Sequence, residues 1–268
     1  MPIKLIVTDM DGTLLNPDHA VTDRTVAAFA AARARGAYTT LASGRMIEAM
    51  TETAEQVGIN APFIAYNGGA VCDMTGLIIH QAPITAHLAR EVCALAESMG
   101  ILIHGYQDGG YLVADHNPVT DGYADVIKIR PTYTGMPLSE WIEKDQLKLL
   151  LVGDADQLGA AMPKLRAQFD GRVNCINSVP TLIECTMPGV NKGQALLDLA
   201  GSLGVQPDEI LAFGDGENDL EMLLAAGYGY AMGNAPDSVK AAAKFVAPPN
   251  TEDGVAQIIE QYIHDGRI

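Results

Sequence analysis

The sequence predicts an α/β protein: a doubly wound parallel-sheet core with an α+β segment inserted in its middle. Three observations lead there. Short apolar, β-branched runs alternate with helical stretches over the first 60 residues or so. From about Ile84 to Thr186 strands and helices follow one another in a different order. The strand–helix alternation then returns and runs to the end of the chain. The simplest organisation is a core made of residues 1–82 and 188–268, with residues 83–187 as an inserted domain.

Taken in order, 3–8 (IKLIVT) reads as a buried parallel strand with one charged residue, Lys4. Residues 23–35 are Ala-rich with helical spacing, with Thr22 as N-cap and Gly36 as the stop. A strand at 38–43 and a helix at 46–58 follow. Over 63–80 the pattern is of short strands around two tight turns, and Asn67-Gly68 is a hairpin signal because both residues tolerate φ > 0. The insert reads as a helix at 85–99, strands in ILIHGY and GYLVAD, a strand in QLKLLLVG, a helix at 155–169, and strands in RVNCINS and TLIECT. The returning core gives a helix at 191–204, a strand at 210–215, and a helix at 217–226. Then come a strand at 228–232, a helix at 236–243, strand-like FVA and a helix at 252–264.

The chain has 268 residues, 48% of them hydrophobic and 19% charged, which is ordinary for a globular protein with a real core. Its net charge of −16 argues against nucleic acid or an anionic membrane as the main partner, since both want a basic surface. A small anionic substrate remains compatible, because a site can be locally positive. Cys72, Cys93, Cys175 and Cys185 form no CxxC pair, so reduced thiols are expected rather than a zinc site or a disulfide framework. The run Ile3 to Val7 is too short for a signal-peptide core, and no stretch approaches the roughly 20 apolar residues of a membrane span. The expectation is a cytoplasmic protein; the oligomeric state is not readable.

Chemistry concentrates at three strand ends, where ligands of open α/β sheets bind. The first carries Asp9 and Asp11 in TDMDGT. One residue between them keeps both on one side of an extended chain. The second carries Ser43 and Gly44 in LASGR, and the third Asp215, Glu217, Asn218 and Asp219 in GDGEND. Lys192 enters with the first turn of the 191–204 helix. Converging carboxylates repel unless a cation sits among them, and an all-oxygen ligand set suits Mg²⁺. Ser43, the backbone at Gly44 and the Lys192 ammonium are donors suited to phosphate oxygens. Carboxylates, a hard cation, a lysine and a hydroxyl are the parts of phosphoryl transfer.

Together DMDGT, SGR, NKG and GDGEND resemble the four signature motifs of the haloacid dehalogenase (HAD) superfamily. YNGG, GVNKGQAL, GDGENDLEML, AMGNA and EDGVA resemble its Cof-type phosphatases. The resemblance implies a Rossmann-like core with a large α/β cap and Mg²⁺-dependent hydrolysis of small phosphorylated metabolites such as sugar phosphates. It also implies roles. Asp9 is the nucleophile that forms an aspartyl-phosphate, and Asp11 the general acid/base. Asp9, the Asp11 carbonyl and Asp215 hold Mg²⁺. Ser43, Lys192 and Asn218, with amides around Met10 and Gly44, hold phosphate. Asp219 orients a metal-bound water or positions Lys192.

Some readings stay open from residues alone. Ser43 is an N-cap or a phosphate ligand, Arg45 lines the pocket or caps a helix, and Asn67 is a turn residue or borders the site. His104, on an inserted strand, reads as exposed surface or as facing substrate. Trp141 and Tyr133 read as core packing or as a stacking platform. A phosphomutase of the same fold and a phospho-aspartate signalling module are the alternatives to a phosphatase. Asp11 and the large insert speak against the signalling module.

Overall fold

Leu5–Thr8 is an interior strand of a five-stranded parallel sheet, one in from its Tyr38–Leu41 edge, and all four of its residues are buried. Burial on both faces is what a parallel strand in a doubly wound sheet experiences, hence the unbroken apolar run. Its neighbours are Tyr38–Leu41 on one side and Ile210–Gly214 on the other. Tyr228–Ala231 and Phe245–Val246 extend the sheet beyond Ile210–Gly214. The structure, a computed structural model, describes residues 2–107, 109–127 and 129–268.

The register sets where the chemistry falls. Thr8 lies opposite both Leu41 and Phe213, so three strands end level with one another. Asp9, the Ala42–Ser43 step and Gly214-Asp215 therefore emerge side by side at the carboxyl edge. The Asp9 amide still donates to Phe213 O (2.9 Å) and the Ala42 amide to Thr8 O (2.9 Å). Helices Asp23–Arg33, Glu48–Val57, Lys192–Ser202, Leu220–Ala225, Asp237–Ala242 and Gly254–His264 accompany the sheet. Leu5, Val7, Ile210 and Ala212 pack with Leu196, Leu199, Met222 and Leu223 in its core. The expected N-cap is made, Thr22 accepting from the Thr25 amide; Asn191, not singled out in the sequence, caps its helix in the same way by accepting from the Gln194 amide.

The chain divides into two compact units, Met1–His80 with Asn191–Ile268, and Gln81–Val190, against expected breaks near 82 and 187. The second unit holds a six-stranded sheet. Its order is Asn174–Val179, Leu182–Thr186, Lys148–Val152, Leu102–Gln107, Gly110–Val113, Thr132–Tyr133. It is antiparallel except for its last pair. Helices Ala86–Ser98 and Ala155–Phe169 contribute Val92, Ala96, Leu158, Leu165 and Phe169 to a core shared with Ile103, Leu149, Leu151 and Ile183 of the strands.

Three local expectations are corrected. Asn67-Gly68 does not make a two-residue hairpin. Phe63–Ala65 pairs with Ala70–Cys72 across Tyr66–Gly69, with φ of 53°, 55° and 99° at Tyr66, Asn67 and Gly68. A left-handed tyrosine is costly and persists only where surroundings impose it. Here the Tyr66 amide donates to Arg45 O and the Asn67 amide to Ser43 O, both at 3.0 Å. A helix at Pro118–Ile127 lies where none was expected. Asn117 caps it through the Thr120 amide (2.9 Å) and Pro118 opens it, while Gly122 dilutes the helical signal in sequence. His104 is 1% exposed, not surface, and burial lowers its pKa to about 4 with help from Lys148. Trp141 packs against the apolar cluster, whereas Tyr133 stacks on His116 with ring centres 4.0 Å apart.

Helix Lys192–Ser202 approaches Leu220–Ala225 so closely that a Cβ on Gly193 would sit 2.5 Å from the Glu221 backbone; at Gly201 it would meet nothing within 4 Å. Gly193→Ala is expected to lower the unfolding free energy by about 1–3 kcal/mol, as overpacked sites do. Gly201→Ala, gaining helix propensity, leaves it unchanged or raises it by about 0.5–1 kcal/mol. Denaturant unfolding of both variants checks the pair; equal effects would refute the close contact.

Candidate active site

The strand stops at Thr8, and the acidic motif that follows is not extended. Met10–Leu14 forms a single wide turn in which the Leu14 amide bonds to Asp9 O and the Leu15 amide to Met10 O. Asp11 (ψ 125°) and Gly12 (φ 75°) break it. The turn separates the two aspartates, so the expectation that they share one side of an extended chain fails. Asp9 is buried and faces Lys192, while the side chain of Asp11 is about half exposed and faces Arg45. Gly12 is required twice over: its φ is left-handed, and a Cβ there would overlap the Asp215 carboxylate.

Lys192 is fully buried and its ammonium is shared between Asp9 Oδ1 (2.6 Å) and Asp219 Oδ1 (2.7 Å). The second Asp219 oxygen accepts the amides of Asp215 (3.0 Å) and Gly216 (2.9 Å). These bonds fold Glu217–Asp219 into a 3₁₀ turn ahead of the expected helix. Asp219 thus bonds Lys192 through one oxygen and backbone amides through the other. Asp215 Oδ1 accepts from the Thr13 hydroxyl (2.9 Å). Ligand atoms of Asp9, Asp215 and Asp219 lie within 4.8 Å of one another.

Burial shapes the electrostatics. It pushes the Asp9 carboxyl well above the carboxylate range; Lys192 opposes the shift and Asp219 and Asp215 add to it. It raises Asp215 to about 6, with Thr13 opposing and Asp219 adding. For Lys192 burial acts downward, but Asp219 and Asp9 outweigh it and the ammonium is held charged. Three carboxylates face one ammonium, and that imbalance invites a cation. Among the described residues, Asp9 Oδ2 and Asp215 Oδ2 have no protein donor. Two hard, paired carboxylate oxygens fit a hard divalent ion.

A second group lies beside the first. Arg45 forks onto Asp11 through Nε–Oδ2 (2.7 Å) and Nη2–Oδ1 (2.5 Å), and its Nη1 also reaches Ala49 O of the helix Glu48–Val57 (3.4 Å). The buried Ser43 hydroxyl accepts the Arg45 amide (3.1 Å). Asn218 donates to Asn67 Oδ1 (3.0 Å), and Gly44 runs against the Asn67 amide so closely that its Cβ would lie 3.0 Å away. Asn67 therefore borders the site. Among the described residues, Ser43 and Asn218 share no hydrogen bond with Asp9. Met10 is fully buried. Thr13 has a bonding role that the sequence reading did not assign, although it closes the quoted DMDGT motif. Asn234, from the quoted AMGNA motif, likewise donates to Gly12 O (2.8 Å).

A parallel sheet carrying a lysine-bridged carboxylate cluster at its carboxyl ends has the make-up of an α/β enzyme site that could hold a hard cation. A family model for haloacid dehalogenase-like hydrolases matches residues 6–259, and the chain belongs to that family. It is 31% identical over 245 residues to the HMP-PP phosphatase of Escherichia coli O6:H1, covering 89% of this chain and 87% of that one. It is 29% identical over 262 residues to a 5-amino-6-(5-phospho-D-ribitylamino)uracil phosphatase of Bacillus subtilis, covering 97% and 96%. A solved haloacid dehalogenase-like hydrolase from Bacteroides thetaiotaomicron superposes with a TM-score of 0.88 at 29% identity, covering 97% of this chain and 99% of that one. Family and relatives make the chain a phosphomonoester hydrolase.

Thr13→Val keeps the shape and deletes the bond that orients Asp215. With Asp215 as a cation ligand, the variant is expected to bind Mg²⁺ about 10–100-fold more weakly, the usual cost of losing a bond behind a metal ligand. Cation-dependent thermal shift measures it; unchanged affinity would show that the bond orients nothing.

Proposed function

We propose that the protein is a Mg²⁺-dependent phosphatase of small phosphorylated metabolites, working through an aspartyl-phosphate on Asp9. The observation that carries this reading is the Lys192 bridge, which holds one oxygen of Asp9 in a fixed position and leaves the other without a protein donor. The Asp9 carboxylate attacks phosphorus, the P–O bond to the leaving group breaks, and Asp11 protonates the departing alkoxide. Water then attacks the aspartyl-phosphate, Asp11 takes its proton, and inorganic phosphate leaves. Arg45 forks onto the ionised Asp11, the form that takes the proton from water in the second step. Ser43, Lys192 and Asn218, with the amides near Met10 and Gly44, bind phosphate oxygens. Asp9, Asp215 and the Asp11 carbonyl would hold Mg²⁺, which when bound offsets the carboxylate charge and polarises the phosphoryl group.

We assign the chemistry to the first unit and substrate choice to the second, inserted unit. The relatives support a class of substrate rather than one compound. Two phosphatases at 31% and 29% identity carry different substrates in their names, and one of those substrates is a phosphorylated sugar-alcohol derivative. The net charge of −16 argues against nucleic acid. Among the described residues no helix is long and apolar enough to cross a membrane, and the four cysteines are unbridged. Both observations support a cytoplasmic assignment.

Phosphate release from a panel of small phosphomonoesters tests the reading. Release is expected with Mg²⁺, is abolished by EDTA, and falls on the order of 10³-fold or more in Asp9→Asn. Metal-independent release, or full activity in Asp9→Asn, would refute it. Recovery of the phosphoryl group on a second ester instead of in water would mark a mutase.

A pH dependence follows as well. With no cation bound, Asp215 keeps its proton up to about 6 in the folded state but only to about 4 when unfolded. The folded form then binds more protons in that window, so this contribution to stability is present below about pH 4 and lost as pH rises through about 6. Mg²⁺ competes with those protons. Its thermal stabilisation is expected to be larger at about pH 7 than at about pH 5; an equal shift at both would contradict the assignment of Asp215 as a ligand.

A further inference from the structure

The second unit contains a feature that the phosphatase chemistry does not use. Cys175 lies on the edge strand Asn174–Val179 and Cys185 on its neighbour Leu182–Thr186, and the two are directly opposed in the antiparallel register. Their sulfurs are 3.2 Å apart. Directly opposed residues on antiparallel strands have Cα atoms about 4.5–5.5 Å apart, inside the about 4.4–6.8 Å span of disulfides. The sulfurs need to approach by about 1 Å to reach bonding distance, which side-chain rotation supplies without moving the strands. We infer that Cys175 and Cys185 are a modification site: a dithiol that hydrogen peroxide converts, reversibly and within the folded protein, into a cross-strand disulfide.

The two thiols are not equivalent. Cys175 is on the sheet edge and 6% exposed, whereas Cys185 is fully buried, so a small neutral oxidant meets Cys175 first. The hydrogen bond from Cys185 lowers the Cys175 thiol, and Arg166 lowers it further against the effect of burial. The same bond and burial raise Cys185. Cys175 is therefore the readier thiolate and Cys185 the resolving thiol. The Cys175 thiolate attacks peroxide, the O–O bond breaks, and a sulfenic acid and hydroxide result. Cys185 sulfur then attacks the sulfenic sulfur. Its proton and the expelled hydroxide leave as water. Overall two thiols and one H₂O₂ give one disulfide and two waters, with sulfur oxidised and peroxide reduced. A dithiol reductant reverses the bond.

The link would tie the edge strand to its neighbour on the far side of the irregular step between Asn177 and Val179. The neighbouring strand runs on through residues 187–190 to Asn191 and Lys192. Cys72 belongs to the first unit, and Cys93, on helix Ala86–Ser98, sits in the same apolar cluster as the pair without sharing their strand register.

The test uses the native wild-type protein, so it does not depend on a variant that folds. Protein is treated with dilute H₂O₂, denatured, alkylated and cleaved after glutamate. Cleavage at Glu184 separates the two cysteines, so their peptides remain joined only through a disulfide. The expected result is a joined Cys175–Cys185 pair that dithiothreitol releases, with Cys72 and Cys93 alkylated, and a thermal midpoint raised by about 5 °C. Both thiols left alkylated, sulfinic or sulfonic acid without a link, a link to Cys93, or a link that forms only in denaturant would each overturn the inference.

Discussion

The catalytic end of the sheet depends on one buried cation. The Lys192 ammonium has no solvent contact and lies within 2.7 Å of two carboxylates on different segments of the chain. A buried charge without partners costs several kcal/mol, and so does a buried carboxylate. The ion pair with Asp9 and Asp219 offsets both costs at once, which is why these residues can occupy strand ends surrounded by apolar core. It also joins the end of the first strand, the start of the returning helix and the 215–219 loop.

What surrounds that cation gives identical side chains different work. Both oxygens of Asp219 are engaged, one by Lys192 and the other by two backbone amides. Asp9 and Asp215 each keep an oxygen without a donor, and burial makes both hold protons more tightly than a solvated aspartate. Asp11, two residues from Asp9, is partly solvated and forked by Arg45. Environment rather than residue type therefore sets these aspartates apart.

The second unit handles its polar groups differently. Its sheet buries His104 and a tyrosine cluster in which Tyr106 and Tyr123 share a hydroxyl hydrogen bond of 2.8 Å. Burial keeps the imidazole neutral down to about pH 4. Its one close thiol pair is likewise protonated on the buried side. Burial thus keeps His104 and Cys185 uncharged, in contrast with the charged cluster of the first unit.

Much of the architecture is local in origin and therefore legible from the chain alone. Apolar β-branched runs, an Ala-rich helix with Thr22 as its cap, and polar residues at strand ends are written in short windows of sequence. So was the list of acids, the lysine and the serine, because a motif set is a pattern of spacing. What the sequence could not contain is the partner of each group. That Asp11 faces Arg45 and not Asp9 follows from the turn at Gly12. The buried place of Asn67 against Gly44 and Asn218 follows from a loop held left-handed by bonds to Ser43 and Arg45. His104 was misread because exposure depends on what packs over a strand, which alternation along the strand does not reveal. Spacing chose the residues; only the packing of distant segments decided which carboxylate is buried against the lysine, which also takes the backbone amides and which faces the arginine, because burial and partners come from neighbours far apart in the chain.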